Sequence, residues 1–429
     1  FTSDVFEEEL ISRGEPRSPY KETAFDDYFT TTRFSNSLNL TYKANKNSVI
    51  NILGGYNYYK RIKTKYLKDL VTIDYQIIDD LSSRDTSVFD LVFSRGTYSF
   101  SKDSSKLNYQ LGYDINVEAN KGKRINDGRK EIGDYAIFGS LEYRPNTKTV
   151  IRPGLRYSYN TAYETPLIPS FNVKYDWSKH LTSRLSWGKG FRAPSLKELH
   201  FLFVDLNHNI LGNKNLVAEN SDNFMLQFNY KRGIKRGVYN FGLSGFYNAV
   251  NNQISLVLRD ATEQLYTYTN IGKFFSQGIN LNSGFKYKTY RTDIGFSWVG
   301  RYNNEFTNHS SLDKFLYTPE IMASFGYEVK EWQSTFNLFY KYTGRVLGFV
   351  ESEFDEVSQY EIEAYSMMDV SVIKYFFKKK LSITLGAKNL FDVGNINSNQ
   401  LTGGVHSGAG NNIPVAWGRT YFTRLVINL

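Results

Sequence analysis

The 429-residue sequence contains no cysteine, nine prolines and four methionines. Without cysteine there is no disulfide framework and no thiolate centre for a metal or a redox reaction. Long apolar runs are also missing. No stretch approaches the roughly 18 residues that a membrane helix needs, and the mean hydropathy is −0.44, which excludes a helical membrane protein. The chain opens Phe1-Thr2-Ser3-Asp4 with no apolar leader, so a mature product or a fragment is expected. Charge of one sign is in excess without being concentrated: 52 Lys and Arg face 43 Asp and Glu, for a formal net charge of +9. The basic residues are scattered singly. The densest run, Lys378-Lys379-Lys380, lies between two strand-like segments, Val370–Phe377 and Leu381–Leu390, where a solvated hairpin turn explains it better than a phosphate patch. Nucleic acid is not an expected partner.

Aromatic residues are abundant. Tyr (33) and Phe (32) dominate a 16% aromatic content, and 41% of residues are hydrophobic, which rules out a disordered chain. These side chains recur with a period of two. In Leu107–Val117 the odd positions read Leu, Tyr, Leu, Tyr, Ile, Val and the even ones Asn, Gln, Gly, Asp, Asn. The same alternation runs through Phe224–Tyr230, Ile279–Tyr287, Ile294–Tyr302, Phe336–Tyr342 and Tyr421–Leu429. Successive side chains of a strand point to opposite faces, so each segment has one apolar and one polar face.

A soluble sandwich shows that alternation too, but three features favour a membrane barrel. The segments run to about ten residues, against a mode of about five or six in soluble sheets. Their polar face is rich in Asn, Ser, Thr, Gln and Gly, suited to a wet lumen. Aromatics gather at segment ends, as in Tyr56–Tyr59, Tyr157–Tyr159 and Tyr340–Tyr342, where barrels place their girdles. About 16 to 18 such segments lie between Ser35 and Leu429, enough for a large antiparallel transmembrane β-barrel. Tight connections (Pro145-Asn146-Thr147, Lys231–Arg236, Lys378–Lys380) alternate with long polar ones: Lys121–Glu131, Ala193–Asp222, Thr307–Lys314, Val350–Glu363 and Asp392–Trp417. Short turns on one side and long loops on the outer side fit a bacterial outer-membrane barrel. No repeat beyond the hairpin and no linker divides the chain, so one domain, residues 1–429, is expected.

Two stretches carry a more specific signal. Trp187-Gly188-Lys189-Gly190-Phe191-Arg192-Ala193-Pro194-Ser195-Leu196-Lys197-Glu198-Leu199 is followed by Gly212-Asn213-Lys214-Asn215-Leu216-Val217-Ala218-Glu219, and Asn389-Leu390-Phe391-Asp392 precedes a final strand, Gly418–Leu429. Proline cannot donate to a ladder and holds its predecessor extended, so Arg192-Ala193-Pro194 should end a strand. Lys197, Glu198 and Glu219 then belong at a barrel rim, where shaping the loop is their more economical role. These patterns resemble those of TonB-dependent outer-membrane receptors. That resemblance implies a 22-stranded barrel with an N-terminal plug. This chain looks like the C-terminal barrel part, the plug and first strands lying outside it. It further implies import of a scarce, bulky nutrient, driven by the TonB-ExbB-ExbD system through the plug. Outer-membrane lipid surrounds such a barrel, and a surface lipoprotein is a further partner.

Enzymatic chemistry finds no support. The five histidines are His180, His200, His208, His309 and His406. None has zinc-protease spacing, and no Gly-x-Ser-x-Gly elbow or phosphate-cradling glycine loop stands in a strand-turn-helix context. His180 adjoins a short turn and belongs on the periplasmic side. In the heme-uptake branch that the chain resembles, similar motifs bracket a heme-contacting histidine, with Lys214 here where that pattern has proline. On that resemblance His200, His208 and His406 are the candidate ligand-binding residues. Neutral imidazole is a good axial ligand for heme iron, as is tyrosine, and Phe201–Val204 would supply an apolar wall. Heme is the first expected ligand, with ferric siderophore and cobalamin as alternatives and no intrinsic cofactor. A passive porin or an adhesive barrel is the competing class.

Overall fold

The computed structural model describes residues 1–17, 22–78, 83–125, 128–205, 208–260, 265–303, 315–351, 357–398 and 412–427. One 21-stranded sheet holds nearly all of the regular structure. Three of its members, Tyr75–Ile77, Leu202–Asp205 and His208–Leu211, are short strands within connections. The other eighteen follow one another as antiparallel neighbours from Thr2–Pro16 to Thr420–Ile427 and form the barrel wall. Among the described residues these two strands pair only with Thr23–Asn45 and Leu381–Lys388 respectively, and so are the wall's edges.

Exposure along the wall is inverted relative to a water-soluble protein. Leu111 is 55% exposed, Ile137 65% and Trp298 44%, whereas Asn108 and Ser158 are only 4% and 3% exposed. Apolar side chains on the outside and amides and hydroxyls on the inside make a lipid-facing surface around a polar lumen. The odd residues of Leu107–Val117 and the even residues of Thr292–Tyr302 lie on the lipid side, as their alternation predicts.

Two aromatic bands mark the membrane limits. Near the short turns Tyr290 stacks on Tyr327 at 4.4 Å, Tyr175 meets Trp177 edge-on at 4.8 Å, and Tyr230 lies 6.2 Å from Tyr239. About ten residues further along the strands, Trp298 stacks on Tyr317 at 4.4 Å and Phe275 on Tyr302 at 5.5 Å.

The rims differ as the turn lengths predict. Asn45–Ser48, Ile234–Gly237, Tyr287–Tyr290 and Val329–Ser334 close tightly on one rim, and Phe377–Lys379 forms a 3₁₀ turn there, in agreement with a solvated Lys378–Lys380 turn. On the other rim the connections are long, and some strands run well past the bilayer. Thr23–Asn45, Ser48–Asp69, Gly237–Asp260 and Leu265–Tyr287 have 22 to 24 residues, roughly 75 Å at about 3.4 Å per residue, against an apolar band of about 25 Å.

Three details depart from the sequence expectation. The wall begins well before Ser35, with Thr2–Pro16 and Thr23–Asn45. Its first strand carries Glu7-Glu8-Glu9, which breaks the alternation; these residues pair with Thr30–Thr32 in the outer part of the next strand, where both faces are wet. The long connections also hold structure of their own: a hairpin of Val346–Glu351 with Val357–Ile362, and a pairing of Asn395–Asn397 with Asn412–Pro414. Finally, the turn expected over Lys231–Arg236 is tighter, because the ladder continues to the pair Ile234–Gly237. The expected loop Thr307–Lys314 lies outside the described residues.

Candidate functional site at the outer mouth

The long connection after Arg192 folds inward. Ser195 caps the short helix Leu196–His200: its hydroxyl accepts the Glu198 backbone N–H, and the Glu198 carboxylate accepts the Ser195 N–H at 2.7 Å. This reciprocal capping box satisfies two donors that a helix start leaves open. The same carboxylate receives Arg192 Nη1 at 2.9 Å, and Arg192 Nε donates to Glu219 at 2.9 Å. One guanidinium thus joins both carboxylates across the two ends of the loop. Glu219 also accepts the Ile254 N–H at 2.7 Å. Desolvation pushes the Glu198 carboxyl up, but hydrogen bonds from Arg192 and Ser195 outweigh it and hold the group below the ordinary glutamate range.

Beneath this latch Leu196, Leu199 and Leu216 are buried against Ile132 and Ile254, with Tyr163 and Tyr268 packed beside them. Ile132 and Ile254 stand on lumen-facing positions of strands five spacings apart in the wall, so the loop braces the mouth from inside. Gly212 closes it. A Cβ there would lie 2.6 Å from the Phe201 nitrogen and 2.7 Å from that of His200, so only glycine allows the strand to press on the helix end. Gly212 N–H donates to Phe201 and Asn213 N–H to Glu198. Arg192, Ser195, Glu198 and Glu219 therefore do architectural work, as their placement at a rim predicts.

The loop then reaches the opposite strands. Leu202 N–H donates to the Arg124 carbonyl at 2.9 Å, and Phe201 bridges to Ile125. The hairpin Leu202–Asp205 with His208–Leu211 runs on to pair, in parallel, with Leu265–Thr267.

Where the loop meets the wall, a concavity of about 340 Å³ opens to the lumen, lined by Phe29, Tyr59, Arg61, Lys63, Asp85, Ser87, Phe89, Asn120, Lys121, Arg124, Ile125, Lys197 and Phe201. Five of these are cations and four are aromatic. Lys63 pairs with Asp27 at 3.4 Å and Arg124 with Asp85 at 3.3 Å. Arg61, Lys121 and Lys197 have no carboxylate partner among the described residues. The Arg61 guanidinium sits 4.5 Å from the Phe29 ring centre, and Lys197 Nζ 5.1 Å from that of Phe201. Cations over ring faces beside an uncompensated positive surface suit an anion with aromatic faces of its own. Larger grooves occur on the lipid side, lined by residues such as Leu111, Ile137, Leu155 and Tyr157, or Leu226, Ile279 and Trp298; acyl chains occupy that surface in a membrane.

The sequence candidates fall around this site rather than in it. His200 ends the helix, half-buried, one residue before the pocket-lining Phe201. His208 starts the second hairpin strand, opposite Asp205. His406 and His309 lie outside the described residues. His180 stands at a tight turn on the periplasmic rim, its Nδ1 3.0 Å from the Lys231 carbonyl. The cations and aromatics themselves were not foreseen. Their signal was available as a period-two face, Tyr59, Arg61, Lys63, Lys65, and Ser195-x-x-Glu198 was legible as a capping box.

Comparison with known proteins agrees with this architecture. Residues 6–390 match the family model of the TonB dependent receptor-like β-barrel. The ferric enterobactin receptor PirA of Pseudomonas aeruginosa is 24% identical over 294 residues, covering 63% of this chain and 38% of that protein, so the match spans well under half of the relative's length. Among solved structures, the siderophore receptor PirA from Pseudomonas aeruginosa superposes with a TM-score of 0.61 at 15% identity, over 98% of this chain and 75% of the other. The outer membrane transporter YddB from Escherichia coli gives 0.67 at 11% identity, over 99% and 66%.

Proposed function

Since this chain belongs to the TonB dependent receptor-like β-barrel family and is an outer-membrane barrel, not an enzyme, we propose that it forms the barrel of a receptor importing a ferric siderophore, driven by the TonB-ExbB-ExbD system. The observation that carries the ligand class is the concavity at the outer mouth. Ferric ion is held by hard, anionic oxygen donors, and its tris-catecholate chelates carry both a net negative charge and aromatic rings. Arg61, Lys121 and Lys197 offer charge without compensating carboxylates among the described residues, and Phe29, Tyr59, Phe89 and Phe201 offer ring faces. The relative's name, ferric enterobactin receptor, supports the same reading.

Heme, the first expectation from the sequence, takes second place. Among the described residues the lining of the concavity includes no histidine, and the relatives' names speak of enterobactin and siderophores rather than heme. His200, His208 and His406 remain the residues to test toward heme. A passive pore is disfavoured by the loop braced across the mouth. Uptake of radioactive iron, supplied as a ferric catecholate chelate to iron-starved cells, tests the proposal. Uptake should require both this gene and a working TonB. Equal uptake without either would refute it.

A further inference from the structure

We infer that Lys197 and Phe201 set the receptor's preference among ferric chelates, and that Arg192, through Glu198 and Glu219, is the residue that positions them. Every other cation and ring of the concavity is fixed on the wall or on the connection after Lys121. Among the described residues, Lys197 and Phe201 alone arrive on the inward-folded loop, from strands four and more spacings round the ring. Lys197 is exposed, without a carboxylate partner among the described residues, and it lies over the Phe201 ring at 5.1 Å. Phe201 is tied by its backbone to Lys197 O, Gly212 N and the Ile125 bridge.

Their placement depends on contacts outside the pocket. Lys197 lies in the single helical turn between Ser195 and His200, and that turn is held by the capping box and by Arg192. Arg192 does not line the concavity. Removing it leaves Glu198 and Glu219, 15% and 16% exposed at their side chains, without their shared cation, and two desolvated carboxylates then repel each other. Glu219 is held in the wall ladder, whereas Glu198 is held on the loop, so the repulsion displaces the helix turn and Lys197 with it. The consequence is selective: a displaced cation and ring cost an anionic aromatic chelate more than a neutral aliphatic one.

This inference rests on the siderophore reading, and the test separates the two. Purified receptor in detergent is titrated with a ferric tris-catecholate, which carries three negative charges, and with a neutral ferric tris-hydroxamate. Variants are Lys197→Gln, Phe201→Leu, Arg192→Gln and the wall variant Thr30→Ser as control. Retained heat-modifiable migration on gels shows that each barrel is folded. In Lys197→Gln, Phe201→Leu and Arg192→Gln the catecholate-to-hydroxamate affinity ratio should fall about tenfold, the loss of one cation or ring contact, and Thr30→Ser should keep the wild-type ratio. A defect that merely loosens the loop lowers both affinities and leaves the ratio; that result for Arg192→Gln overturns its positioning role. Unchanged ratios in Lys197→Gln and Phe201→Leu overturn the preference. A wild-type protein that binds neither chelate overturns the siderophore reading, and this inference with it.

Discussion

Single side chains report where the membrane lies. Ile294 sits midway between the two aromatic bands, at 47% exposure on the lipid face, whereas Trp298 stacks on Tyr317 in the outer band. Arginine at Ile294 should therefore destabilise the barrel by about 2–4 kcal/mol, and at Trp298 by only about 0–1 kcal/mol for its charge. Unfolding titrations in lipid vesicles measure both; equal costs would misplace the bands. In the concavity, Arg61 has a ring beneath it and no carboxylate partner among the described residues. Arg61→Gln should weaken binding of an anionic chelate about three- to tenfold, and the deficit should shrink in high salt as screening removes the charge's advantage. A deficit that does not depend on salt would assign Arg61 a packing role.

The loop of residues 193–218 is the element on which the mouth depends, and its latch has a pH dependence of known sign. Glu198 titrates below its ordinary range when folded. Its contribution is therefore complete above the unfolded value and is lost as pH falls through the lower, folded one. Amide protection of residues 196–205 and 208–213, taken relative to intrinsic exchange at each pH, should be high at neutral pH and fall only below the ordinary glutamate range, and Glu198→Gln should abolish that step. Loss of protection beginning near neutrality would point to another group. Gly212→Ala tests the same element sterically. A Cβ would meet backbone atoms at 2.6–2.7 Å, so limited proteolysis should cut this loop faster than in the wild type while the wall stays intact.

Seen whole, the molecule was legible in sequence wherever one face touches lipid. There the alternation is strict, as in Leu107–Val117, and the strands and their faces follow from it. Above the membrane both faces of a strand are wet, alternation has no physical cause, and so Thr2–Pro16 with its three successive glutamates did not read as wall. The site was hidden for a different reason. Its cations and rings come from four strands, the connection after one of them and a distant loop, and no local pattern records that Lys197 comes to share a concavity with Arg61. The motifs around Arg192 were visible and were rightly read as shaping the loop, but the fold was needed to show what that loop carries. The central claim is that this mouth receives a ferric siderophore. Quenching of tryptophan fluorescence in the purified receptor, titrated in parallel with a ferric tris-catecholate, heme and cobalamin, tests it most directly. The account predicts saturable, salt-sensitive binding of the ferric catecholate, much tighter than that of heme or cobalamin, and unaffected by replacing His200 and His208 with alanine. Tight binding of heme that the double replacement abolishes, with none of the ferric chelate, would contradict it.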